Sequence, residues 1–289
     1  MPPSLMRPLD QSRRLMNLLV ANRGRGYHDV QNAGEAVEIW LYDEIGFWGT
    51  TAQDFAREVV PLKASQITLH LNSPGGEAWE GQAIYHTLRQ HPATVEVRVE
   101  GIAASAATTV AMAASPDRLV MARGSMMMIH EAMVIIGGNA RDLRGAADWL
   151  EIVDEAIAGY YHERAGGELA AWRTAMAAES WYSARDAVDA GLADMVDGDA
   201  APASNIFDLS AFLNTPPHLL DSSSGTEHEP TVRELERALR DAGLPAAKAK
   251  AFVANGRRAL DARDVEPDEE GAARDVQALR GLVDIFRVK

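Results

Sequence analysis

The chain has 289 residues, 47% of them hydrophobic, which suffices for a substantial core and for one large or two ordinary domains. A formal net charge of −14 argues against a general nucleic-acid binder, because counterion release requires basic faces. Cysteine is absent, which removes disulfides, thiolate catalysis and Cys-ligated zinc in one step, and no apolar run approaches the ~18 residues of a membrane helix.

From Met1 to Gly26 the chain carries Arg7, Arg13, Arg14, Arg23 and Arg25 without an apolar segment ending in a small-residue cleavage site. Residues 1–30 therefore read as a mobile basic arm rather than a secretory signal. Ala36 to Tyr42 alternates and is rich in β-formers, so it reads as a strand. Thr51 to Val60 reads as an amphipathic helix with Phe55 and Val59 on one face, and Ser65 to Asn72 as a second strand ended by Ser-Pro-Gly-Gly. A helix over Glu80 to Gln90, a strand over Thr94 to Val99 and a small-residue helix over Ser105 to Ala114 follow. Arg118 to Met121 and Met126 to His130 read as short strands, Asp142 to Ala165 as one long helix, and Ala184 to Ala190 as a short helix stopped by Gly191. Strands alternating with helices of this length predict βαβ units and a mostly parallel sheet.

After Val196 the composition shifts to Pro, Ser, Gly and Asp, so 198–230 reads as a linker within which Ile206 to Leu213 docks as a short helix. At Thr231 and Glu234 a capping box opens a last helical stretch, broken at Gly243-Leu244-Pro245 and resumed over Ala246 to Asn255. With few large apolar side chains, 231–289 is expected to be a small helical C-terminal extension. The protease-sized domain is then 31–197.

Three short motifs carry chemistry. Ser105 follows a strand and opens a helix, in Gly101-Ile102-Ala103-Ala104-Ser105, where its hydroxyl can stand clear of the sheet beside the unpaired amide of Ala106. By itself such a serine is more often a helix N-cap. Gly75-Gly76, after Asn72-Ser73-Pro74, allows positive φ and close backbone approach to a ligand, although an ordinary turn has the same composition. His130 closes an apolar strand, where a histidine is more often structural than catalytic. A serine hydroxyl needs a base within hydrogen-bond reach, normally a histidine oriented by a carboxylate. Zinc-protease spacing fails twice: Val134 stands where His130-Glu131 would need its second histidine, and Gly166 where His162-Glu163 would. No metal and no cofactor is expected.

The stretch from Ile67 to Val196 resembles the Clp-type serine proteases. The resemblance rests on Asn72-Ser73-Pro74-Gly75-Gly76, on Gly101 to Ser105, on Met128-Ile129-His130 and on Ser183 to Asp194, in that family's order and spacing. It implies a crotonase-type, ClpP-like α/β fold of repeated ββα units with a long handle helix. It implies Ser105 as nucleophile, His130 as general base, and the Gly76 and Ala106 amides as oxyanion hole. Glu179 falls where better-known members carry an aspartate that orients the histidine; Asp117 and Glu131 are weaker substitutes. Ala107 stands in place of the family's usual glycine.

Ile39 to Gly49 and the following helix look like the phage-encoded branch of head maturation (prohead) proteases, in which a C-terminal extension follows the protease domain. The implied function is an endopeptidase that cleaves capsid or scaffold proteins, without an ATPase of its own, in the cytoplasm of a bacterial host. Homo-oligomers of stacked rings are implied, built in part by Val134 to Asn139 and the handle helix, with peptide substrates and neither nucleic acid nor membrane as partners. Three other readings compete: a cellular Clp-like peptidase serving an unfoldase, a crotonase-type acyl-CoA enzyme, and an inactive scaffold protein. A Ser/Lys dyad is disfavoured, since Lys63 is the only lysine before Lys248.

Overall fold

The computed structural model describes Asn22 and residues 26–32, 34–198 and 207–220. The readings made for the rest of the arm and linker, and for the extension with its Thr231–Glu234 capping box, lie outside those residues. One mixed sheet holds eight strands: β1 (Tyr27–Asn32), β2 (Ala36–Tyr42), β3 (Gln66–Ser73), β4 (Thr94–Ala104), β5 (Leu119–Ala122), β6 (Met126–Ile129), β7 (Ser180–Ser183) and β8 (Met195–Asp197). The strand path is β1-β2-β3-β4-β5-β8, with β6 pairing β4 and β7. All neighbours run parallel except β1 on β2 and β7 on β6.

Helices α1 (Ala52–Val59), α2 (Ala78–Gln90), α3 (Ala106–Ala111), α4 (Ala140–Ala165), α5 (Leu169–Ala177), α6 (Ala184–Asp189) and α7 (Pro217–Leu220) complete the described elements. Val37, Ile39 and Leu41 of β2 meet Ile67, Leu69 and Leu71 of β3 and Val95, Val97 and Val99 of β4 in one core with Phe55, Ile84 and Leu88 of the covering helices. The same strands present Glu38, Trp40, His70, Glu96, Arg98 and Glu100 on the opposite, half-exposed face, where His70 lies between Glu38 (2.6 Å) and Glu100 (2.8 Å).

Strand β4 is the element that builds the site. It continues five residues past the expected end at Val99, and its two halves have different partners: Val97–Val99 pair with Leu119–Met121 of β5, and Ile102–Ala104 with Met126–Met128 of β6. The end of β4 and the end of β6 are thereby neighbours.

Five elements, β1, α5, β7, β8 and α7, were not legible beforehand. Strand β1 lies partly inside the stretch read as a mobile arm; its sequence, YHDVQN, is polar, and the antiparallel ladder with β2 holds it. Strands β7 and β8 likewise form through their ladders with β6 and β5, and helix α5 packs Met176 into the main core. Of the helix expected over Ile206 to Leu213, the described part from Phe207 does not form: 207–216 is irregular, and the helix there is Pro217–Leu220. The reason is that the backbone amides of Leu213 and Asn214 are claimed by the Glu179 carboxylate, and Pro216-Pro217 cannot extend a preceding helix. Chain contacts divide the molecule into two compact units, Met1–Met133 with Glu151–Thr226, and Val134–Leu150 with Glu227–Lys289. The site lies within the first.

Candidate active site

Ser105 sits at φ 56° and ψ −122°, a left-handed backbone that a residue with a Cβ adopts at a cost of ~1–3 kcal/mol. This is not cap geometry, and the Ser105 side chain makes no capping hydrogen bond to α3. Instead Ser105 Oγ lies 2.7 Å from His130 Nε2. With the imidazole proton on Nδ1, Nε2 accepts from the hydroxyl, the arrangement a general base needs.

The strained turn is pinned from beneath. Ser105 N donates to Met128 O at 3.0 Å, and the buried Thr108 hydroxyl lies 2.6 Å from Ala103 O and 2.7 Å from Met128 O. Those bonds tie the last turn of β4 and the first of α3 to the strand that delivers His130. Two residues beyond His130, Ala132 N donates to the buried Asp154 carboxylate at 2.6 Å, which fixes the exit of the same strand.

The glycine loop lies directly against Ser105. A Cβ placed on Gly75 (φ 89°) would stand 2.4 Å from Ala104 O, 2.8 Å from Ser105 Cβ and 2.9 Å from Ala106 N. Gly76 (φ 145°) is pressed on Ile45, whose amide donates to Gly75 O and whose carbonyl accepts from Glu77 N, both at 2.8 Å. Ser73 Oγ accepts from Gly75 N at 3.1 Å, and Asn72 Oδ1 accepts from Ile102 N at 3.0 Å, so each polar residue of the motif braces the loop on itself or on β4. Among the described residues neither the Gly76 nor the Ala106 amide has a backbone acceptor, and both belong to segments that touch Ser105.

The fifth anticipated residue is placed differently. The β6–β7 register ends at Ile129↔Ser180, so His130 and Glu179 occupy the next positions along the ladder. The Glu179 carboxylate accepts from Leu213 N (2.8 Å) and Asn214 N (2.6 Å), and more weakly from Trp181 Nε1 (3.4 Å). The His130 ring instead meets Phe212, edge to face, at 5.5 Å between centroids. Burial lowers the imidazole pKa to about 4, so the ring is neutral at physiological pH. Among the described residues no group of three or more His, Asp or Glu side chains is placed to hold a metal ion.

The family model described as Clp protease matches residues 22–199, well over half the chain. The chain belongs to the Clp protease family. It is therefore a serine peptidase, a hydrolase, with the ClpP-like α/β fold. The ATP-dependent Clp protease proteolytic subunit 2 of Corynebacterium efficiens is 25% identical over 63% of this chain and 93% of its own length. Proteolytic subunit 1 of Prochlorococcus marinus is 30% identical over 54% of this chain and 81% of its own. Among solved structures, a point mutant of ClpP1 from Listeria monocytogenes aligns at a TM-score of 0.50 and 23% identity, covering 56% of this chain and 91% of that one; it speaks for the fold alone.

Within this Clp protease the motif residues were legible as residue types, whereas Thr108 and Phe212 were not. A threonine in a small-residue helix carries no signal of its own, and Phe212 lies beyond the family-matched region. The one available hint was the apolar spacing of Phe207, Leu209, Phe212 and Leu213 within an otherwise polar stretch.

Proposed function

We propose that this chain is a serine endopeptidase in which Ser105 Oγ attacks the scissile carbonyl carbon. His130 Nε2 takes the hydroxyl proton and returns it to the leaving amine. The Gly76 and Ala106 amides hold the oxyanion, and Glu179 is the carboxylate that orients the imidazole. Water, deprotonated by His130, then hydrolyses the acyl-enzyme and regenerates the Ser105 hydroxyl. The observation that carries this reading is the 2.7 Å contact between a strained Ser105 and His130.

The decisive experiment is labelling with a fluorophosphonate probe. Wild type is expected to label, and Ser105→Ala and His130→Ala to lose labelling while keeping wild-type circular dichroism. Undiminished labelling of Ser105→Ala sinks the assignment.

For the substrate we propose capsid or scaffold proteins of a phage head, cut in the cytoplasm of a bacterial host without an ATPase in the same chain. The sequence from Ile39 to Gly49 and the ninety residues after the family-matched region, of which Phe207–Leu220 is described, support this. Self-association into rings is part of the proposal, supported by the exposed Val134, Ile135, Ile136 and Leu143. A second reading, a cellular peptidase fed by an unfoldase, is favoured by the relatives, which are named proteolytic subunits of ATP-dependent Clp proteases. Co-expression separates the two. Cleavage of capsid or scaffold protein that disappears with Ser105→Ala supports the first, and degradation of folded substrate only with an added unfoldase supports the second.

A further inference from the structure

The outer face of the sheet changes character along β4. Glu96, Arg98 and Glu100 are followed on that face by Ile102 and Ala104, and the paired β6 contributes Met126 and Met128 beside them. Phe207, Leu209, Ala211, Phe212 and Leu219 cover this patch, with Trp181 packed alongside, in an apolar cluster separate from the main core. The covering segment begins after the family-matched region ends at residue 199, so it is an addition to the fold rather than part of it. It is fastened at both ends of its irregular stretch. The buried Asn22 side chain accepts from Asp208 N at 2.6 Å and donates to Asp208 O at 3.0 Å; Asn214 Nδ2 donates to Ala178 O at 2.8 Å.

Its tip reaches the site. Both oxygens of Glu179 are engaged by two consecutive amides of this segment, and the neighbouring Phe212, 4% exposed, sets its ring against His130. Two short backbone hydrogen bonds anchor the Glu179 carboxylate to this segment with no hydrogen bond to His130, and the orienting carboxylate of a serine–histidine pair works only through the imidazole it contacts. We propose that Phe207–Leu220 is an autoinhibitory strap: docked, it withholds Glu179 from His130 and leaves a Ser105–His130 pair without its acid; displaced, it returns the carboxylate across the next rung of the β6–β7 ladder. The inference rests on the reading of Glu179 as the third member of the triad. The depressed imidazole pKa has burial as its cause, so uncovering the ring and returning a carboxylate both raise it, and Glu179→Gln is the change that separates the two.

Two alterations of the full chain test it. Phe212→Ala removes the ring packed on His130 and loosens the tip while leaving Ser105, His130 and Glu179 themselves unaltered; it should raise the rate of fluorophosphonate labelling at Ser105 about tenfold or more at pH 7 and move the acid limb of the pH–rate profile upward. Because the chain has no cysteine, Ala178→Cys with Asn214→Cys places a reducible lock where those residues already touch. The oxidised form, verified by mass, should label slowly and recover on reduction. The lock decides the matter if Phe212→Ala does not fold.

Equal labelling of locked and reduced enzyme overturns the strap, as does an unchanged rate and pH profile in Phe212→Ala. The triad reading fails separately. If Glu179→Gln costs labelling in a Phe212→Ala background that gained nothing, Glu179 already serves His130: the triad stands and the strap falls. If Glu179→Gln costs nothing in a background that did gain, the triad assignment falls and takes the withheld-acid role with it.

Discussion

Ser105, the proposed nucleophile, has its backbone forced where side chains are rare. The positive φ of Ser105 turns Oγ toward His130 and leaves the Ala106 amide facing the glycine loop. That arrangement requires Gly75 to lack a side chain. Gly75→Ala would drive a Cβ within 2.4 Å of Ala104 O, against backbone that cannot yield cheaply. We expect probe labelling to fall about a hundredfold or more, the scale of a lost oxyanion donor, with the fold retained by circular dichroism. His130 supplies a prediction with a definite sign. Burial depresses its pKa from 6.5 to about 4, so the ring is already unprotonated above that value. The acid limb of kcat/KM in the native chain should therefore have its midpoint nearer 4 than 6.5; a midpoint at or above 6.5 contradicts the desolvated setting. The residue types at 105, 130, 75 and 76 were readable in the sequence, whereas the fate of the Glu179 carboxylate was not, because the amides it binds lie more than thirty positions away.

At the scale of elements, the site is a junction between two strand ends and a helix start. Thr108 makes that junction by sharing its hydroxyl between Ala103 O of β4 and Met128 O of β6. Thr108→Val keeps the volume and removes the bond, so it should cost ~1–2 kcal/mol in denaturant unfolding and slow labelling several-fold; Thr108→Ser should restore both. The far end of α4 is secured otherwise. Arg164, 10% exposed, pairs with Asp194 and also donates to Ala114 O at 3.1 Å, while Asp194 accepts from Leu119 N at 2.7 Å. Arg164→Met leaves that carboxylate with the Leu119 amide but without its cation, and an unfolding experiment should show a loss of ~1.5–3 kcal/mol. Long periodic elements such as α2 and α4 were legible because apolar spacing is a local property. The strands β1, β7 and β8 were not, because each is short and polar or mixed and exists through its ladder.

At the scale of the molecule, the buried Glu44 works against the fold. Glu44 is 3% exposed, neither carboxylate oxygen has a hydrogen-bond partner among the described residues, and burial, with Asp43 and Glu77 nearby, raises its pKa from 4.5 to about 8. The folded chain keeps this proton while the unfolded chain releases it above about 4.5. The associated stability is thus complete at low pH and drains away as pH climbs from 4.5 through 8. Melting temperature should fall by several degrees over that window in wild type and less in Glu44→Gln; parallel curves would count against a protonated Glu44.

What the sequence determined by itself was the α/β alternation, the glycine loop and the serine–histidine spacing, since all are written in local pattern and in motif order. What only the tertiary structure decided was where β4 ends, which carbonyls Thr108 binds, and that a segment read as linker lies over an apolar sheet face and takes hold of Glu179. Those outcomes turn on pairings between distant stretches. A hydrogen bond formed across such a separation depends on which surfaces the fold brings together, and no local periodicity encodes that.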